Sequence, residues 1–158
     1  MGSVIFDILT TAGILFVVAS GLMIILGVMK LLNFAHGAFL TAGGYAAYLT
    51  GAAGISPWFS VPLAGIVGIV FGLLVERTII RPLYNRPLDA ILATWGLGIV
   101  ISQIFALTFG RGVQFAPSPL SGTIEVLGIE YSAYRLAVSA IAVLLAIALI
   151  ALLSPDFS

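Results

Sequence analysis

Asn33 and His36 are the two residues whose types and position most invite a chemical reading. They lie in a short knot, Asn33-Phe34-Ala35-His36-Gly37, between two long runs without Asp, Glu, Lys or Arg. Two readings are open. In one, Asn33 caps the helix that follows and His36 sits at its edge. In the other, the knot is the break in a discontinuous helix that lines a pathway. The segment after the knot is short and interrupted by glycines, as such elements are. Helix-end amides left free at the break can then meet a solute or a neighbouring helix.

Other chemistry is excluded by absence. There is no cysteine, so disulfides, thiol catalysis and thiolate metal sites are ruled out together. His36 is the only histidine and has no ligand-forming neighbours in sequence, so no metal site is expected. The only lysine, Lys30, does not lie in a phosphate-binding loop, and no GxGxxG occurs. No Ser-His-carboxylate set is credible, so no catalytic residue and no cofactor are expected. Net charge is zero, which argues against nucleic acid as a partner. No carboxylate falls in the middle of an apolar run, so an ion-coupled carrier would lack its usual intramembrane acid.

The elements that must position Asn33 and His36 are set by the solvent. From Ile8 to Met29 there are 22 residues without formal charge, and from Leu31 to Val75 there are 45, broken only by His36. A charge at the centre of a membrane helix costs about 2.5–3.5 kcal/mol on insertion scales. Charged residues make up 8% of the chain, against about 25% in soluble domains. The expected fold is therefore all-α and polytopic, a single transmembrane domain over 1–158 with membrane lipid around it. Five helices are expected, over about 8–29, 38–53, 58–75, 90–109 and 135–153, with a broken or re-entrant element near 31–54. The first is read as a retained span rather than a secretory signal. Asp7, not a basic cluster, precedes it, and it is longer than a signal's apolar region.

Basic residues set the expected orientation. Lys30, Arg77, Arg81 and Arg86 fall on one side of five crossings, Arg111 and Arg135 on the other. That bias puts the 76–89 connection, with Glu76, Arg77, Arg81, Pro82 and Arg86, in the cytoplasm and the N-terminus outside. Two Arg-Pro pairs stiffen this connection enough to suit a docking surface. The 110–134 segment reads equally as an external hairpin, turning at Gly128, or as an irregular loop. Small residues recur at helical spacing, Gly44 and Gly51 in the second helix and Gly65, Gly68 and Gly72 in the third. In lipid such stripes let helix backbones approach closely, without saying which helices meet.

Two stretches resemble the permease family of ABC importers for branched-chain amino acids. The first runs from Gly21 to Phe39 and contains Asn33-Phe34-Ala35-His36-Gly37. The family usually continues with Glu, where this chain has Ala38. The second is Glu76-Arg77 and Arg81-Pro82-Leu83, followed by Ala93-Thr94-Trp95-Gly96-Leu97. The resemblance implies an inner-membrane subunit that works with cytoplasmic ABC ATPase subunits, a second permease subunit and an extracytoplasmic solute-binding protein. ATP hydrolysis would then belong to the ATPases. It also implies a solute path, for which Asn33, His36, Gly37, Thr41, Tyr45 and Tyr48 are the candidate lining residues. Family permeases run to nearly twice this length, so a truncated permease, inactive alone in coupled uptake, is the expectation. Urea or a short amide as substrate, and a non-transporting membrane scaffold, stay open as alternatives.

Overall fold

The computed structural model describes residues 1–153. Its elements in chain order are α1 (Gly2–Met29), α2 (His36–Ala52), α3 (Ser60–Val75), α4 (Pro87–Phe109), a hairpin of β1 (Thr123–Val126) and β2 (Ile129–Ser132), and α5 (Ala133–Leu153). The protein is an all-α polytopic membrane protein carrying one small antiparallel ribbon. The hairpin reading of the 110–134 segment is the one adopted. Thr123 pairs with Ser132 and Val126 with Ile129, around a turn in which Leu127 and Gly128 both have positive φ.

Helix boundaries drawn at the last charge are too tight. Asp7 and Asp89 both lie inside helices, so α1 starts at Gly2 rather than 8 and α4 at Pro87 rather than 90. A charged side chain in the first turns of a span still reaches the interface, and proline suits the first helical position. The 76–89 connection is likewise more ordered than a loop. A single π turn, Glu76–Ile80, and a 3-10 turn, Arg81–Leu83, carry α3 almost to α4.

The contacts divide the chain into two compact units, 1–23 with 120–158 and 24–119. In the larger unit, α2 and α3 run antiparallel. Phe39 meets Phe71 edge to face at 5.5 Å, and Gly43 faces Ala64 further along. α4 runs parallel to α2, since Phe34 bonds Thr94 and Tyr45 stacks on Phe105. At the end where α2 begins, Leu31, Val75, Ile80 and Ala90 form a buried cluster flanked by Phe39, Phe71, Leu83 and Leu97.

In the smaller unit, α1 and α5 run parallel. The Phe6 and Tyr131 rings lie 4.2 Å apart, Asp7 pairs with Arg135, Ser139 donates to the Thr10 hydroxyl at 3.2 Å, and Gly13 faces Ala142.

These directions bear on how many times the chain crosses. Four helical segments are long and apolar enough to span: Gly2–Met29, Pro57–Leu83, Pro87–Phe109 and Ala133–Leu152. α2, with 17 residues, is not one of them. Four alternating spans would leave α1 and α5 antiparallel. Their parallel packing agrees with an odd number of crossings, as the expected five with α2 among them would give. Its 17 residues rise about 26 Å, short of a hydrocarbon core of about 30 Å. The turn at 53–59 that follows it ends in exposed Trp58 and Phe59.

Candidate functional site

The break between α1 and α2 is held by specific bonds. Lys30 stops α1 in a left-handed conformation, φ 52°. Asn33 is buried, and its Oδ1 accepts the Ala35 amide at 3.0 Å. Its backbone carbonyl accepts the His36 amide at 3.3 Å. Asn33 therefore closes a turn on its own backbone. The helix N-cap is Ala35, which makes no side-chain cap. Phe34 donates its amide to Thr94 Oγ1 on α4 at 3.2 Å. Thr94 is buried and returns its own proton to the carbonyl of Ala90, at 2.9 Å. His36 is half-buried as the first residue of α2, and Gly37 beside it is exposed.

The other candidates lie along α2, away from the break. Thr41, Gly44, Tyr45 and Tyr48 recur at helical spacing and line one cleft of about 400 Å³, together with Gly112, Val113, Gln114 and Ala116. Thr41 Oγ1 donates to the Gly37 carbonyl at 3.0 Å and keeps its lone pairs for another donor. Gln114 donates its Nε2 to the Phe109 carbonyl at 3.2 Å, which fixes the cleft's outer strap. On the neighbouring face of α2, Ala42, Tyr45, Ala46 and Leu49 line a second cleft of about 340 Å³, walled by Phe71, Ile101 and Phe105. Tyr45 is the wall shared by both. It stacks on Phe105 and on Phe109, each at 4.5 Å between ring centroids, and meets Tyr48 edge to face at 6.4 Å. One cleft is rimmed by hydroxyls and an amide, the other is aliphatic and aromatic. Together they suit a small molecule with a polar head and a greasy tail.

The structure thus separates the six candidates into two groups. Asn33, His36 and Gly37 sit at the end of α2 that packs on Val75 and Ala90. Thr41, Tyr45 and Tyr48 lie one to three turns further along α2. Sequence reasoning did not select Thr94, Phe105, Phe109 or Gln114. Thr94 is one of three hydroxyl residues in α4, with Ser102 and Thr108, so its type alone did not single it out. Phe105 and Phe109 carry no local pattern that sets them apart from the other apolar residues of α4.

The small residues divide too. A methyl group built on Gly51 would collide with the Pro117 ring, so this glycine lets the 110–119 segment lie against α2. Gly44, Gly65, Gly68 and Gly72 meet no atom within 4 Å among the described residues, where a Cβ would stand. Gly51→Val is therefore expected to push Pro117 away and loosen the strap over the cleft. Because the chain lacks cysteine, Val113→Cys gives a clean reporter. A nitroxide attached to Cys at 113 should gain mobility, seen as a narrower spectral line, when Gly51→Val is added, and an unchanged line shape would refute the packing argument.

At the opposite end, Tyr84 donates its hydroxyl to Glu76 Oε1 at 2.8 Å, and Arg86 pairs with Asp89 at 2.8 Å. The hydrogen bond to the Glu76 carboxylate, helped by partial desolvation, raises the Tyr84 hydroxyl above its ordinary value of 10. Among the described residues, no group of His, Asp and Glu could hold a metal ion.

Apolar spans with a break before a continuous α2, and clefts along that helix, are the architecture of a polytopic helical membrane protein. The chain belongs to the family described as branched-chain amino acid transport system permease component, which residues 4–155 match. It is 30% identical over 115 residues to the high-affinity branched-chain amino acid transport system permease protein LivH of Escherichia coli. The corresponding protein of Salmonella typhimurium is 29% identical over the same length. The aligned stretch is 66% of this chain and 37% of each relative, so the chain matches well under half the length of these proteins. No solved structure matches.

Proposed function

We propose that this chain forms part of the translocation path for branched-chain amino acids in an ABC importer of the inner membrane. The observation that carries the reading is the pair of clefts divided by Tyr45. An aliphatic side chain fits against Ala42, Ala46, Leu49 and Ile101, while an ammonium and a carboxylate meet Thr41, Tyr48 and Gln114. Family membership and the names of the relatives point the same way. Asn33, His36 and Gly37 would shape the opposite end of that path.

On this reading the partners are cytoplasmic ATPases, a second permease subunit and an external solute-binding protein. The four basic residues Lys30, Arg77, Arg81 and Arg86 gather where α1 and α3 end and α4 begins. Their excess puts that end in the cytoplasm and the N-terminus outside. The clefts then open toward the external face, where a binding protein would release its load. Gly65, Gly68 and Gly72, with nothing within 4 Å of where a Cβ would stand among the described residues, suit contact with another helix of the assembly.

The test is uptake by proteoliposomes holding the complete transporter. Labelled leucine should accumulate only with ATP and binding protein, and unlabelled isoleucine and valine should compete while urea does not. Competition by urea alone would replace this substrate class with short amides. Absence of any ATP-dependent uptake would sink the transport reading.

A further inference from the structure

The end of the larger unit opposite the clefts carries charge that its own carboxylates do not neutralise. Lys30 follows α1, while Arg77 and Arg81 follow α3, and all three are exposed. Packing of Leu31 with Val75 and Ile80 gathers these helix ends at one membrane face. The nearby acids are already engaged, Glu76 by Tyr84 and Asp89 by Arg86. No ion pair is formed by Lys30, Arg77 or Arg81 among the described residues. Just inside these cations the helices expose aliphatic side chains, Val28 on α1 with Leu73 and Leu74 on α3.

We propose that this face is a binding surface for anionic phospholipid. Three features select that occupant. The cations stand where the apolar spans end, at headgroup depth. The greasy residues directly behind them offer acyl-chain contact, which a free anion or a soluble acidic protein does not use. Arginine presents a planar fork that matches a phosphate with two parallel hydrogen bonds. The attraction of each basic side chain to an acidic leaflet is roughly fivefold in affinity. The surface is independent of which solute the protein carries.

The experiment uses the whole chain in detergent with equimolar phosphatidylglycerol and phosphatidylcholine, and counts retained lipid by native mass spectrometry. Wild type should keep phosphatidylglycerol in preference at physiological salt. Lys30→Gln, Arg77→Gln and Arg81→Gln together should erase the preference, while Arg111→Gln, at the far end of α4, should keep it. Salt at about 1 M, where the screening length falls to about 3 Å, should weaken it in wild type. That arm decides the matter if the triple variant loses its helical circular dichroism. Equal retention of the two lipids by wild type would overturn the proposal. So would a preference that survives both the triple substitution and high salt, or one abolished by millimolar inorganic phosphate.

Discussion

Thr94→Val is expected to destabilise the protein by about 0.5–1.5 kcal/mol, the usual net worth of one hydrogen bond. Valine keeps the shape of threonine and removes one oxygen. That oxygen accepts the Phe34 amide across 60 positions of sequence and is the bond that ties the break before α2 to α4. Thr94→Ser restores the oxygen and should recover most of the loss. Unfolding in mild detergent by titrated dodecyl sulfate measures both variants. A valine variant as stable as wild type would mean that the 3.2 Å contact is geometric coincidence.

Tyr45→Ala is expected to remove about 1–3 kcal/mol, from two stacked ring pairs worth about 0.5–1.5 each. Burial from water contributes less here than in a soluble core, because lipid tails are as apolar as leucine. Alanine would also join the polar-rimmed cleft to the aliphatic one, since Tyr45 is their common wall. On the proposed transport reading, the complete importer should then lose discrimination between valine and larger apolar amino acids. Tyr45→Phe separates the two effects. It keeps both stacks, so stability should stay within about 0.5 kcal/mol of wild type, and any change in uptake belongs to the hydroxyl. An alanine variant that matches wild type in both measurements would remove Tyr45 from the site.

Much of this architecture was legible because lipid writes a coarse code. Long charge-free runs mark spans, and turn residues such as Gly54 and Pro57 mark their ends. The code fails where polar residues do structural work inside a helix. Asp7 read as lying outside the first helix, yet it lies within α1 and pairs with Arg135 across 128 positions, a pairing no local pattern announces. The stretch from Glu76 to Leu83 read as a loop because it is charged and holds a proline. The chain instead keeps helical pairing there by widening one turn and tightening the next. At the site, the polar knot was visible, and so were the tyrosines. Their partners were not. Thr94, Phe105 and Phe109 gain meaning only once α4 is known to run parallel to α2.

The brevity of α2 has an electrical consequence. A rod a few ångströms shorter than the oily layer pinches the bilayer beside it, at fractions of a kcal/mol per Å. The transmembrane voltage then drops over a thinner slab at that spot. On the proposed transport reading, a dipolar solute passing Tyr45 would feel a steeper gradient than one crossing elsewhere. The insulation of the cell would be weakest beside the one helix that is lined with threonine, tyrosine and glycine.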